Sequence, residues 1–168
     1  MKTIITGNIN SGKTTALIEH YQTHKRGDGF ACIKIMRGSR VHAYEALRLK
    51  TGERKLLTIH KNDYDCAMGE AQTIGPYRLL NRTIAWMENA MQTMKQHAVA
   101  PIYFDEIGPL EIAHQGFHAI LKLCLECDYV VVIRKQCLED AIAQYQMHDA
   151  TIVDVSKKGV RTCMTRHS

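Results

Sequence analysis

Gly7 and Gly12 stand with four residues between them and are followed at once by Lys13 and Thr14, a spacing that can hold a phosphate chain. Each residue type has a physical task. Glycine reaches backbone angles closed to other residues, so successive N–H groups can turn inward around phosphate oxygens. Lys13 offers a point charge to the β and γ phosphates, and the Thr14 hydroxyl is a ligand for Mg2+. Asn8, Ile9, Asn10 and Ser11 inside the loop, with Thr15 behind it, complete the stretch expected to line the ligand. A helix starting near Lys13 would point the positive end of its dipole at the same anion. The ligand these residues predict is a nucleoside triphosphate.

A second string, Tyr103-Phe104-Asp105-Glu106, ends an apolar run in adjacent carboxylates. Taken alone it reads equally as a surface turn at a strand end. Paired with the first motif, it supplies what a Mg2+ nucleotide site lacks. Mg2+ wants octahedral oxygen coordination and keeps several waters, so Asp105 would hold it through a water while Thr14 and phosphate oxygens bind it directly. Glu106 is then free to orient and partly deprotonate the water that attacks the γ phosphorus. This favours hydrolysis over transfer. A kinase would present an acceptor pocket and a lid of closely spaced arginines, and no convincing lid is evident.

The elements that must position these residues follow from hydrophobic periodicity. A strand is expected over Lys2 to Thr6 and a helix over Lys13 to His24, with Leu17, Ile18 and Tyr21 on one face. A β-rich section follows at Phe30 to Met36, Val41 to Leu49 and Lys55 to His60, turning at Thr51-Gly52-Glu53. Lys61 to Gly75 shows no sustained period and reads as an exposed, mobile connection before an extended piece at Tyr77 to Leu80. From Asn81 a helix is marked by Ile84, Met87, Met91, Met94 and Ala98, a stripe that suits a core. Strands at Ala100 to Phe104, Tyr129 to Arg134 and Thr151 to Val155 alternate with helices at Phe117 to Cys124 and Leu138 to Tyr145. Such alternation implies crossover connections, hence an α/β fold with a mostly parallel sheet covered on both sides.

A chain of 168 residues is expected to form a single domain, residues 1–168, with the β-rich hairpin section at about 29–60 and a basic tail at about 156–168. Hydrophobic residues at 45% and charged residues at 23% describe an ordinary globular chain, which argues against disorder. The strongest apolar run, Tyr129 to Ile133, is far too short to cross a bilayer. The six cysteines are scattered, so reduced thiols and a cytoplasmic location are expected. Cys124 and Cys127 lack a second pair for zinc and read as buried helical residues. His114 and His118 lack the glutamate that zinc-binding histidines four apart would have between them, and read as a solvated helix face.

The net charge of +5 is uneven, with ten Lys or Arg between Lys25 and Lys61 against Asp28, Glu45 and Glu53. Such a patch attracts polyanions. Aromatic residues within it are few, Phe30 and Tyr44, so a nucleic-acid groove is possible but less favoured than attraction of a nucleoside triphosphate.

The two motifs together resemble the small nucleoside-triphosphatases of the THEP1 type. The resemblance rests on Ile4 through Gly7, Gly12 through Thr15, Gly29-Phe30 with a basic hairpin behind it, and Asp105-Glu106-Ile107-Gly108-Pro109-Leu110-Glu111 with Phe117 beyond. It implies a three-layer RecA-like P-loop domain with an inserted β-hairpin region, hydrolysing ATP, GTP and other nucleoside triphosphates to the diphosphate with Mg2+. Carried over, Lys13 and Thr14 take the phosphate and metal roles, Asp105 the metal and Glu106 the water. Arg134 would end the strand between those carrying Thr6 and Asp105, which makes it a candidate cation for the γ phosphate, as is Arg37 from the hairpin. Glu111 matches the motif and is expected to cap or support the loop after the strand. The chain departs from the family in the loop interior Asn8 to Ser11, in Pro109, and in lacking an Asn-Arg-Asp segment between Asp149 and Ser168. Two other readings share these residues: a slow switch or assembly factor with a protein or nucleic-acid partner on the basic hairpin, and a small-molecule kinase.

Overall fold

The structure, a computed structural model, describes residues 1–156. Beyond Ser156, the expected basic tail lies outside the described residues. In chain order the elements begin with β1 (Lys2–Gly7), α1 (Lys13–His24), β2 (Asp28–Arg37), β3 (Arg40–Arg48), β4 (Arg54–His60), β5 (Ala71–Ile74) and β6 (Tyr77–Leu80). They continue with α2 (Asn81–Gln96), β7 (Ile102–Ile107), α3 (Pro109–Ile112), α4 (His118–Leu125), β8 (Tyr129–Arg134), α5 (Leu138–Tyr145) and β9 (Thr151–Asp154).

Strong local period explains why most of these elements fall where the sequence puts them. Leu17 is fully buried under α1, and Met87, Met91 and Met94 form the buried stripe of α2. α1 ends where Lys25 adopts a left-handed conformation and its N–H bonds to the Tyr21 carbonyl, a helix-terminating cap.

The nine strands of the described residues join one sheet in the order β5-β6-β4-β3-β2-β7-β8-β1-β9. The sheet is mixed rather than mostly parallel. The pairings β2 to β7, β7 to β8, β8 to β1 and β1 to β9 are parallel. Those of β2 to β3, β3 to β4, β4 to β6 and β5 to β6 are antiparallel. Short connections such as that between Arg37 and Arg40 leave no room for a crossover, so this part can only return antiparallel. The expected hairpin section is therefore a continuation of the main sheet, held through β2.

Alternation along the central strands feeds two cores. Ile4, Phe104, Val131 and Ile133 pack with Met87, Met91, Ile120, Leu121 and Ala141 on one face. Ile5, Tyr103, Val130 and Val132 pack with Leu17 of α1 on the other. Both faces of β8 are thus dry, which is why its sequence is a continuous apolar run.

Two further expectations need correction. Residues 61–75 are not structureless: they hold 3-10 turns at Lys61–Asp63 and Cys66–Met68 and the edge strand β5. Asp65 caps the second turn by accepting from the Ala67 N–H, and such short elements carry too few residues for a readable period. Strand β7 runs past Phe104 to Ile107, so Asp105 and Glu106 sit inside it. The ladder with β8 skips these two residues, its register shifting between Phe104 and Ile107. A bulge of this kind re-aims side chains.

Asp28 anchors the start of β2. It is 1% exposed and accepts from the N–H groups of Gly29 and Lys50 while pairing with Arg48 at 2.8 Å. Removing one partner of a buried pair strands the other. We expect Asp28→Ala to lower the unfolding free energy by about 3 kcal/mol, read as a lower midpoint in urea. A midpoint within error of the wild type would show that the meander does not depend on this contact.

Candidate functional site

Parallel strands β1, β7 and β8 end on the same side of the sheet, and the loop from Gly7 to Gly12 leaves β1 there. Gly12 caps α1 with φ of 84°, a left-handed angle that favours glycine. The chain then enters α1 with Lys13 and Thr14 in its first turn. Asn8 donates its N–H to Ser156 Oγ at 2.7 Å, and Asn10 accepts from Lys34 Nζ of β2 at 2.9 Å. The loop is thus braced from the end of β9 and from the meander. Ile9 at its tip is 74% exposed.

Lys13 is only 7% exposed, and its ammonium donates to the carbonyl of Asn8 within its own loop at 2.8 Å. Among the described residues no carboxylate forms an ion pair with it. Asp105 is its mirror image. It is 1% exposed, accepts from Thr14 Oγ1 at 2.7 Å and from the Cys32 N–H at 3.1 Å, and does so through Oδ2 alone. Its Oδ1 is buried and has no hydrogen-bond partner among the described residues. Burial, opposed by the Thr14 hydroxyl, pushes the Asp105 carboxyl up to about 6. The folded protein therefore keeps one cation and one anion beside Thr14 that only partly offset one another, an arrangement that costs free energy.

Glu106 points to Arg134 at the end of β8, and the two form an ion pair with side chains 28% and 45% exposed. Arg134 lies opposite Gly7 in the β1 to β8 register. The strand between β1 and β7 thus carries a guanidinium to the point where the two motifs meet. Arg134 also packs over Gly108, where a Cβ would come within 3.2 Å of its Nε. Glu111, 4% exposed, fixes that segment: Oε2 accepts from the Gly108 N–H at 2.9 Å and Oε1 from the Phe117 N–H at 3.1 Å. Tyr145 of α5 donates to the Glu111 carbonyl at 2.7 Å.

The other sequence candidates lie elsewhere. Arg37 pairs with Asp63 at 2.8 Å and not with the loop. His114 sits in the connection before α4, not on the same helix as His118, and the two rings stack with centroids 4.4 Å apart. Cys124 is buried in the core and Cys127 lies past the end of α4. Three members of the neighbourhood went unnoticed in the sequence: Cys32, Lys34 and Ser156. Each enters through long-range pairing, for which no local signal exists.

Because burial holds the Asp105 carboxyl above its ordinary value of 3.8, its ionisation opposes folding. This cost is absent below about pH 4, grows as pH rises toward about 6 and is complete above, where it is on the order of 3 kcal/mol. We expect nucleotide-free Asp105→Asn to unfold at a higher urea concentration than the wild type at pH 8, with the gain vanishing near pH 4. Equal midpoints at pH 8 would contradict the strained carboxylate.

A family model described as NTPase matches residues 2–163. No curated protein and no solved structure matches the chain. The match runs through both motifs and nearly the whole length, in keeping with the resemblance to the THEP1 type, and the protein belongs to this NTPase family.

Proposed function

We propose that this chain is a nucleoside-triphosphatase that works with Mg2+, hydrolysing ATP, GTP and related triphosphates at the γ phosphate within a single RecA-like P-loop domain. The observation that carries the reading is the pair of buried, only partly compensated charges, Lys13 and Asp105, close to the Thr14 hydroxyl. A triphosphate chain brings the anion that Lys13 lacks. A divalent ion brings the cation that Asp105 lacks, and the donors on offer, a carboxylate oxygen and a hydroxyl, are the hard oxygens that Mg2+ prefers. Thr14 and Asp105 would hold the ion together with phosphate oxygens. Bound there, Mg2+ would neutralise charge on the β and γ phosphates as a Lewis acid. A strand order in which β8 separates β1 from β7 supports the RecA-like assignment.

The chain's own residues account for the remaining steps. Lys13 exchanges the Asn8 carbonyl for phosphate oxygens, and the loop N–H groups and the start of α1 orient the chain of phosphates. Glu106 positions a water in line with the γ phosphorus and takes its proton as the new P–O bond forms and the bridging P–O bond to the β phosphate breaks. Arg134 sits beside Glu106 and opposite Gly7, placed to balance charge spreading over the phosphoryl oxygens. Glu111 is a positioning residue in this scheme, since it clamps the loop against which Arg134 packs.

No described helix is long and apolar enough to cross a membrane. We read the chain as acting in the cytoplasm on a freely diffusing nucleotide.

Steady-state phosphate release from a panel of triphosphates tests the reading. We expect turnover that disappears with a chelator of divalent ions and returns with Mg2+. Glu106→Gln should keep nucleotide affinity and lose roughly a hundredfold or more in kcat, the scale of a lost general base. Unchanged kcat would remove Glu106 from the chemistry. Lys13→Ala should weaken triphosphate binding and slow turnover together, and wild-type kinetics in that variant would overturn the assigned loop.

A further inference from the structure

We propose that the sheet face built by β2, β3, β4 and β6 binds a single-stranded polynucleotide, RNA or DNA, along a row that ends at the γ-phosphate side of the site. The location relative to the phosphate rests on the function proposed above; the surface itself does not.

Residues directly opposite in an antiparallel ladder share a face of the sheet. Lys34 lies opposite Tyr44, Tyr44 opposite Thr58, and His60 opposite Tyr77. The topology therefore gathers Lys34, Tyr44, His60 and Tyr77, which are far apart in the chain, onto one surface. Tyr44 and Tyr77 meet edge to face with centroids 5.7 Å apart, and Tyr77 meets His60 at 5.8 Å. All three rings are only partly buried.

Cations flank this row. Arg40 reaches to within 3.3 Å of His60 Nδ1. Arg40, Arg37 and His42 all converge on the one carboxylate of Asp63, at 2.8, 2.8 and 3.0 Å. Lys34 holds a neutral partner, Asn10. Two arginines and a lysine against one acid leave the strip positive before either histidine is counted. Alternating rings and fixed positive charges are what an unpaired strand requires: bases stack on the rings, and phosphates meet the cations. A duplex hides its base faces, and an acidic peptide would use the charges without the rings.

The row also runs up to the site. Lys34, its first member, bonds Asn10 of the loop at 2.9 Å, and two residues earlier on the same strand Cys32 donates its N–H to Asp105 at 3.1 Å. Thr14 on Asp105 marks the metal end of the phosphate chain, so a strand on this face would approach the γ phosphate and not the base of the nucleotide.

Fluorescence anisotropy tests the surface. A labelled mixed-sequence oligonucleotide of about sixteen nucleotides, prepared as RNA, as DNA and as a DNA duplex, is titrated with the full chain at low salt. We expect saturable binding of at least one single strand and weaker binding of the duplex. Tyr77→Ala should weaken single-strand binding by about fivefold or more, the scale of one lost stacking contact. Arg40→Glu, a surface change that does not threaten the core, should weaken it and lower the slope of log affinity against log salt by about one or more. Poly-glutamate at equal charge should compete poorly. Melting curves and triphosphate affinity identify any variant that fails to fold, in which case the Arg40→Glu result decides. No saturable single-strand binding would overturn the proposal, as would binding indifferent to both substitutions or displaced equally by poly-glutamate. Phosphate release measured without polynucleotide reports on the hydrolytic reading separately, so either idea can fail while the other stands.

Discussion

Two buried charges that only partly offset one another, the Lys13 ammonium and the Asp105 carboxylate, and that form no ion pair among the described residues, are the constraint around which this chain is arranged. Water solvates a carboxylate far better than the protein does, and burial favours the neutral form of Asp105. The fold keeps both side chains out of water. Lys13 is locked into the first turn of α1 and among the described residues donates to the Asn8 carbonyl, while Asp105 is boxed in by Thr14 and the Cys32 N–H. Stability is held back here, and in the proposed function a ligand carrying the complementary charges would recover it.

Everything nearby serves to keep that geometry. Strand β8, dry on both faces, spaces the loop after β1 from the carboxylates of β7 by one strand. The irregular register of β7 turns Asp105 and Glu106 out of the ladder at the right place. Glu111 then stitches Gly108 to Phe117, so the segment after the carboxylates cannot drift under Arg134. Asp28 and Arg48 tie the meander to the parallel half, which brings Lys34 against Asn10.

Much of this was legible in the chain, and what was not failed for definable reasons. The glycine spacing, Lys13 and Thr14 are local, and α1 is bounded by residues that advertise its ends. Asp105 and Glu106 were readable because an apolar run leads into them, although the run gave no warning that β7 continues through the pair. Pairing partners are a non-local property. Nothing near Arg37 announces that Asp63 will take it, and nothing near Tyr44 announces that Tyr77 and His60 will pack beside it. Counting aromatic residues along the basic section therefore understated them, because β6 adds its own from outside that section. The mixed character of the sheet is the same lesson in backbone form: short connections imply antiparallel return, but only the register shows that the meander extends the main sheet.

The central claim is that Lys13 and Asp105 await one composite ligand. Thermal unfolding of the wild type with Mg2+ alone, with a non-hydrolysable triphosphate alone, and with both tests this most directly, since a ligand that binds only the folded state raises its melting temperature. The two together are predicted to raise the melting temperature by more than the sum of the separate shifts, with this excess lost in Asp105→Asn. Additive shifts, or an excess that survives Asp105→Asn, would contradict the account.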